Sequence, residues 1–259
     1  MSVAPATQVA MVLPPRASVS RPVADLRAQP DGAAELVDQA QSGEQLTILG
    51  ESNGWAYVQG EDLYLGWIDR RNIREDPHPP RVLLVARHNA PVRLDPRDES
   101  EIIGEVGPGV PCGLSDGGFA LCSAGWVAVA DTMPNDRLPQ RPPTPEDIVT
   151  TAESFLGVPY LWGGTTAHGI DCSGLTQRVY RLNGVGLDRD ADQQALGGRP
   201  VERARPGDLF FFGADRVTHT AIATGETTFI HAPQAGLTVQ RGELGADRSR
   251  LRATRRYLL

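Results

Sequence analysis

Cysteine is scarce in this sequence, which has three in 259 residues. Small secreted domains held together by disulfides tend to carry cysteines densely and in even numbers, so three cysteines argue against a dense disulfide framework. Cys112 and Cys122 leave three alternatives open: a disulfide, part of a metal site, or two buried thiols. No neighbouring Cys or His completes a metal shell, which favours the thiols.

Long apolar runs and excess positive charge are also missing. No stretch approaches the roughly 20 apolar residues that span a bilayer. A net charge of −7 argues against nucleic acid as a partner, because binding it needs concentrated positive charge. The arginine-rich end, Arg248–Arg256, is interrupted by uncharged residues and predicts a solvated strand face. No basic residue precedes the short apolar stretch near the N-terminus, so we expect no secretory signal and a cytoplasmic location.

Proline-rich segments divide the chain. Leu138–Pro145 is typical of a linker, and Asp76–Arg81 is a second candidate boundary. Residues 22–70 and 85–131 repeat one pattern of short strands, an R-x-x-P turn and a Gly-Trp strand. Turn signals at short intervals with little helical periodicity predict two small all-β barrels.

The sequence after the linker predicts helices first and antiparallel strands afterwards, an α+β layout. Thr144, followed by proline and two acids, predicts a helix start. The apolar face of that helix is predicted from Ile148, Ala152, Phe155 and Leu156, with Gly157 as its stop. A second helix is predicted from Cys172 to Gly184. Four strand-like runs follow, at 208–212, 219–224, 228–232 and 237–240.

Cys172 is the cysteine best placed for reactivity. Asp171 is a natural N-cap, which puts Cys172 at the first position of a helix. The free N–H groups and the positive dipole end at that position stabilise a thiolate, so we expect a lowered pKa. The same N–H groups are suited to hold an oxyanion. A buried structural cysteine is the alternative.

A thiol nucleophile needs a base, and the base needs an orienting group. His219 and His231 lie on neighbouring predicted strands. A two-residue turn between these strands places the histidines on opposite faces. A three-residue loop, Thr224–Glu226, pairs Ala223 with Thr227 and sets His219 opposite His231. The catalytic interpretation therefore predicts an odd-length loop.

The other histidines, His78, His88 and His168, lie in polar or proline-rich stretches and are predicted to be surface residues. His168 is close enough to Cys172 in the chain for a position lining the cleft to stay open as an alternative.

Several ordered motifs resemble the NlpC/P60 family of papain-like cysteine peptidases. They are Y-L-W-G-G from Tyr160, D-C-S-G from Asp171, R-P-G-D-L-F from Arg205, and I-H-A around His231. The similarity covers about residues 144–259. It implies a triad of Cys172, His219 and His231, and it implies that Tyr160 helps form the oxyanion site with the Cys172 N–H group. The two predicted barrels resemble bacterial SH3-like domains.

The whole arrangement resembles γ-D-glutamyl-L-diamino-acid endopeptidases, which cut murein peptides after γ-D-glutamate and require a free N-terminal L-alanine. The resemblance implies that Asp171, Ser173 and Asp190 face the alanine ammonium and that Trp162 walls its pocket. Ala191 offers no polar side chain beside Asp190.

The first barrel is then expected to close that pocket, with Tyr64 and Glu35 as contributors. Buried ammonium groups need carboxylate partners, and a wall excludes longer N-terminal extensions. Without the resemblance, Tyr64 is equally well explained as a packed strand aromatic and Glu35 as an exposed charge.

The expected architecture is α+β: a papain-like NlpC/P60 domain at 146–259, preceded by SH3-like barrels at 16–76 and 80–135 and a linker at 136–145. We expect a monomeric endopeptidase, without metal or cofactor, that acts on murein tripeptides or tetrapeptides and releases L-Ala-γ-D-Glu. Membrane and nucleic-acid partners are not expected. Two other functions stay open: amidase or acyltransferase chemistry at the same site, and a wall-binding protein with an inactive peptidase domain. The choice between diaminopimelate and lysine also stays open.

Overall fold

The computed structural model of the chain describes residues 14–75, 82–113, 117–137 and 141–258. The predicted boundary Asp76–Arg81, with His78, lies outside the described residues, as do residues 138–140 of the predicted linker. Among the described residues, no helix has the length and apolar character needed to cross a membrane.

The first β unit, residues 16–74, is a seven-stranded antiparallel sheet in the order β3-β2-β6-β5-β4-β1-β7. Its strands alternate buried and partly exposed residues, as expected where one face covers a small core. Its strands are β1 Arg16–Val19, β2 Val23–Arg27, β3 Leu36–Gln41, β4 Gln45–Ser52, β5 Trp55–Gln59, β6 Leu65–Asp69 and β7 Ile73–Arg74.

The second β unit, residues 83–134, has the same strand order, β10-β9-β13-β12-β11-β8-β14. Each unit also carries a short 3-10 helix before its last strand, at Arg70–Asn72 and Val129–Asp131. The predicted repeat is therefore confirmed at the level of topology. Its strands are β8 Leu83–Val85, β9 Ala90–Arg93, β10 Ile102–Val106, β11 Pro111–Cys112, β12 Phe119–Cys122, β13 Gly125–Ala128 and β14 Thr132–Pro134.

The C-terminal unit, residues 145–258, packs three helices against an antiparallel sheet in the order β17-β22-β18-β19-β20-β21. The predicted α+β order is confirmed. Its helices are α1 Pro145–Glu153, α2 Cys172–Leu182 and α3 Ala191–Gln194. Its strands are β15 Thr165–Thr166, β16 Gly169–Ile170, β17 Arg199–Pro200, β18 Leu209–Phe212, β19 His219–Ala223, β20 Thr228–His231, β21 Gln240–Glu243 and β22 Leu251–Arg256.

Two predicted bounds in this unit are wrong. Helix α1 ends at Glu153, so Leu156 lies outside it and is 36% exposed, although Phe155 is buried. The strand predicted over 237–240 begins only at Gln240. The reason is that 237–239 pair with 157–160 instead: the N–H of Tyr160 donates to Leu237 O and that of Gly157 donates to Val239 O.

Candidate active site

Cys172 is the first residue of α2, as predicted. The Asp171 side chain accepts a 2.6 Å hydrogen bond from the N–H of Gly174, which closes the N-cap. A Cβ atom on Gly174 would overlap the carbonyl oxygen of Gly164, so the first turn of α2 needs glycine there to pack against this loop.

The expected lowering of the Cys172 pKa is wrong. Burial, followed by the neighbouring Asp171 carboxylate, raises the pKa of Cys172 to about 11. The backbone N–H groups of Thr220 and Ser173 act in the opposite direction and lower it. In the free protein the desolvation of Cys172, a residue only 8% exposed, outweighs the effect of the helix terminus on its pKa. Cys172 is therefore a thiol near neutral pH in the free protein.

The two histidines lie on the same face of the sheet. Strands β19 and β20 pair Ala223 with Phe229, which leaves residues 224–228 between them. The odd loop length is confirmed, but the predicted pairing of Ala223 with Thr227 is wrong by two residues. Side chains alternate with a period of two, so this shift keeps both histidines on one face. Nε2 of His219 lies 2.9 Å from Nδ1 of His231.

His219 is uncharged near neutral pH. Burial lowers its pKa to about 3, and the nearby His231 and Arg250 add to the effect. Because Nε2 of His219 faces His231, the Nδ1 atom is the one left for the thiol. The free site thus contains a neutral imidazole beside a neutral thiol.

These side chains meet in a cleft of about 360 Å³. Tyr160, Cys172, His219 and His231, all predicted from the sequence, line it together. Burial, with Cys172 and Asp171 nearby, raises the Tyr160 pKa, so its hydroxyl keeps its proton and can donate. The cleft also contains side chains that the sequence did not single out: Phe212, Thr218, Phe229, Pro233, Gln234 and Arg250.

A second cavity, of about 350 Å³, also reaches Cys172. All six residues predicted for the alanine pocket line it: Glu35, Tyr64, Trp162, Asp171, Ser173 and Asp190. Trp162 donates from Nε1 to Glu35 across the boundary between the units, at 2.9 Å. The Tyr64 hydroxyl donates to Asp190, with O···O distances of 3.3 and 3.4 Å. The first β unit therefore forms one wall of this cavity.

Arg189 is the principal residue that the sequence reasoning missed. It is only 1% exposed and bridges the two units, donating to Asp38 at 2.6 Å and to Asp171 at 2.8 and 3.1 Å. It also donates to Ser173 Oγ at 3.0 Å. A single arginine among three acids in D-R-D-A-D was the available signal.

One guanidinium is thus shared between two buried carboxylates. Burial raises the pKa of Asp38 to about 7, although Arg189 acts against that rise. The Asp171 carboxylate also accepts from the N–H groups of Gly163 and Gly174, so its oxygens are already well supplied with donors. Among the pocket carboxylates, Glu35 and Asp190 form no ion pair in the described part of the chain.

His88 and His168 were both predicted to be surface residues, and the prediction for His88 is wrong. His88 is partly buried between units: Nε2 lies 3.0 Å from Ser154 Oγ, and the ring packs edge-on against Phe155. His168 is exposed, as predicted, and pairs with Glu105 of the second β unit at 3.2 Å.

Cys112 and Cys122 are buried free thiols facing each other across β11 and β12, so the disulfide alternative is wrong. Within the described ranges, no group of three or more His, Cys, Asp or Glu side chains is arranged to hold a metal ion.

Comparisons with known proteins agree with this architecture. Residues 157–255 match the NlpC/P60 family, and residues 26–73 match the bacterial dipeptidyl-peptidase SH3 domain. Dipeptidyl-peptidase 6 of Lysinibacillus sphaericus is 30% identical over 244 residues, which cover 83% of this chain and 86% of that protein. A γ-D-glutamyl-L-lysine dipeptidyl-peptidase of Bacillus cereus is 27% identical over 242 residues, or 80% of this chain and 70% of that protein.

A solved structure shows the same fold. The crystal structure of an NlpC/P60 family protein from Bacillus cereus matches with a TM-score of 0.82, over 94% of this chain and 100% of that one. The sequence identity in that comparison is 24%, so this likeness describes the fold alone.

Proposed function

This chain belongs to the NlpC/P60 family of cysteine peptidases, and from that premise we propose that it hydrolyses the bond between γ-D-glutamate and an L-diamino acid in murein peptides with a free N-terminal L-alanine. The observation that carries the proposal is the junction of two cavities at Cys172. One holds the Cys172, His219 and His231 set, and the other is lined by carboxylates and walled by the first β unit. The names of the relatives supply the substrate class.

The carboxylate-lined cavity suits a substrate ammonium group. Glu35 and Asp190 carry no ion pair of their own within the described residues, and Asp171 adds negative charge although Arg189 binds it. Burial raises the pKa of Asp190, and a neighbouring ammonium would favour its charged form. In this proposal Trp162 and Tyr64, which line the cavity, exclude a longer peptide, so a free L-alanine amine is selected over an acylated one.

In the proposed reaction, the thiol of Cys172 attacks the γ-carbonyl carbon of D-glutamate as its proton moves to Nδ1 of His219. The new S–C bond gives a tetrahedral oxyanion, held by the Cys172 N–H group and the Tyr160 hydroxyl. His219 then protonates the leaving amine as the C–N bond breaks, which leaves a thioester. Water, deprotonated by His219, cleaves the thioester, releases L-Ala-γ-D-Glu and returns the thiol. His231 holds the His219 ring in the required tautomer.

We further propose that the second β unit is also an SH3-like barrel, because it has the strand order of the first. The domain boundaries are then 16–76, 80–135 and 146–259, with 136–145 as the linker. We also propose that the enzyme is a monomer and recycles wall peptides in the cytoplasm. A free-amine requirement fits peptides that have already been released from the wall.

The test uses L-Ala-γ-D-Glu-diaminopimelate, its lysine analogue and the N-acetylated form of each, with mass detection of the products. We expect cleavage of the free-amine peptides only, and no cleavage by Cys172→Ala. Equal thermal unfolding of the variant and the wild-type protein is the control for folding. Cleavage of both forms, or of neither, would contradict the proposal, and so would full activity of the variant.

A further inference from the structure

The two cavities that meet at Cys172 differ in charge. Four carboxylates and Arg216 line the cavity assigned to the alanine end; the carboxylates belong to Glu35, Asp171, Asp190 and Asp192. The cleft that contains the histidines has the opposite character: its one ionic side chain is Arg250, and no carboxylate is among its described lining residues. The two cavities therefore present opposite charges on either side of Cys172.

Arg250 is held at this position by its backbone. It is the last residue of the 3-10 helix Ala246–Arg250, directly before β22. Its carbonyl oxygen accepts a 3.0 Å hydrogen bond from the N–H of Gly213, at the end of β18. The cation is close enough to His219 to help lower the pKa of that histidine.

The guanidinium of Arg250 has no partner in the part of the chain that the structure describes. The side chain is exposed and forms no hydrogen bond or ion pair with any described residue. Two other arginines near the site are engaged: Arg189 binds two carboxylates, and Arg252 donates to the Asp215 carbonyl. An arginine without a protein partner in a cleft is suited to bind an anion from the ligand.

The proposed reaction supplies such an anion. His219 must protonate the leaving amine, so the diamino-acid residue has to lie in the cleft beside His219. That residue carries a main-chain carboxylate when it ends a tripeptide, and diaminopimelate carries a second carboxylate on its side chain. A guanidinium binds a carboxylate through two parallel hydrogen bonds, which fixes orientation as well as charge.

We propose that Arg250 binds a carboxylate of the leaving diamino-acid residue, with the Gln234 amide beside it in the cleft, and so selects short anionic peptides. This inference rests on the proposed function, because it needs the γ-D-glutamyl carbonyl at Cys172. It assigns the two ends of the substrate to two separate recognition sites, the ammonium to the carboxylate-lined cavity and the carboxylate to Arg250.

The test compares three peptides on the wild-type protein and on Arg250→Gln: L-Ala-γ-D-Glu-L-Lys, its C-terminal amide, and the diaminopimelate peptide with its main-chain carboxyl amidated. We expect the variant to lose about tenfold in kcat/KM on the lysine acid and little on the lysine amide. If the variant loses as much kcat/KM on the diaminopimelate amide as on the lysine acid, Arg250 also binds the side-chain carboxylate of diaminopimelate. Removing the Arg250 charge also affects His219, but this effect is the same for all three peptides. It therefore cancels when the kcat/KM loss on one peptide is divided by the loss on another.

Arg248→Gln is the matched control, because Arg248 belongs to the same 3-10 helix, is exposed and does not line the cleft. It should leave all three rates within about twofold of the wild type. If Arg250→Gln leaves the rates unchanged, or lowers those of the acid and the amides equally, the role of Arg250 is refuted while the proposed function stands. If the wild-type protein cleaves none of the peptides, the proposed function fails, and this inference fails with it.

Discussion

The two β units share a strand order but not a role. The first unit supplies Glu35 and Tyr64 to the cavity beside Cys172, and Asp38 to the buried ion pair with Arg189. Among its described residues, the second unit supplies none to either cavity at Cys172. The difference arises from strand β3 and the loop between β5 and β6, which lie against the C-terminal unit.

The second unit contacts the same C-terminal unit in a different way. Arg178 of α2 donates to the carbonyl oxygen of Pro108, and His88 contacts Ser154 and Phe155. It also contacts the first unit, where the N–H of Ala124 donates to Ser42 Oγ at 3.0 Å. These contacts are suited to hold the first unit in place. Two units with the same strand order thus differ in position: the first lines a cavity beside Cys172, and the second packs against both the first unit and the C-terminal unit.

The largest expected effect comes from breaking the buried link between the first unit and the active site. Arg189→Met leaves Asp38 and Asp171 buried without their cation, so we expect a loss of about 3–5 kcal/mol in unfolding free energy. Urea unfolding of the full chain measures it. Arg87→Met removes an exposed ion pair with Asp131 in the second unit and should cost about 1 kcal/mol or less. Equal losses would refute the special role of the first unit.

The next effect concerns charge in the pocket. Glu35→Gln removes a carboxylate proposed to bind the L-alanine ammonium, so kcat/KM for the free-amine peptide should fall about tenfold. The amide still accepts the Trp162 hydrogen bond, which keeps the wall in place. Glu105→Gln, which changes the second unit where it contacts His168, is the control and should stay within about twofold of the wild type. A similar fall in both variants would mean that the two units contribute alike.

A smaller effect is expected from Tyr64→Phe, which removes the hydroxyl that donates to Asp190. The ring that walls the cavity remains, so we expect about a threefold loss in kcat/KM, consistent with one modest hydrogen bond. Tyr57→Phe is a matched control in the same unit, because Tyr57 packs against Trp67 and does not line the cavity. If Tyr57→Phe has the same effect on steady-state kinetics, the Tyr64 hydroxyl has no specific role.

The smallest expected effect is the pH response of the second unit. Burial and the Arg178 charge lower the pKa of His88 in the fold, while an unfolded His titrates near pH 6.5. Protons therefore favour the unfolded chain, and the stability that His88 contributes is present above about pH 6.5 and is lost as the pH falls. Urea midpoints measured at about pH 7.5 and about pH 5.5 should shift less in His88→Gln than in the wild type. An unchanged shift would exclude His88 as the cause.

Local rules predicted the parts of the site that depend on neighbouring residues. The N-cap at Asp171 and the start of α2 at Cys172 follow from side chains within one helical turn. Side chains alternate between the two faces of a strand. An odd number of residues in the loop between β19 and β20 therefore places His219 and His231 on the same face of the sheet. The exact pairing of β19 with β20 could not be predicted from these rules. The N–H groups of Thr224 and Gly225 both donate to Thr228 O, and this makes the turn longer than expected.

The burial of the site residues could not be predicted from neighbouring residues in the sequence. The raised Cys172 pKa and the lowered His219 pKa have desolvation as their first cause, and desolvation depends on everything packed around the group. His88 shows the same limit: its polar sequence context indicated a surface residue, whereas the packing of two units partly buries it.

From the sequence alone we predicted the nucleophile, its two histidines, the repeat of two β units and the six residues proposed for the alanine pocket. Those residues were identified by short-range geometry and by resemblance to a family. The tertiary structure alone decided that Arg189 joins the units and that Arg250 lies in the histidine cleft. Asp38 and Arg189 are separated by 151 positions in the chain, so no local pattern pairs them. Their pairing follows from the docking of the first unit, because two buried carboxylates require a buried cation.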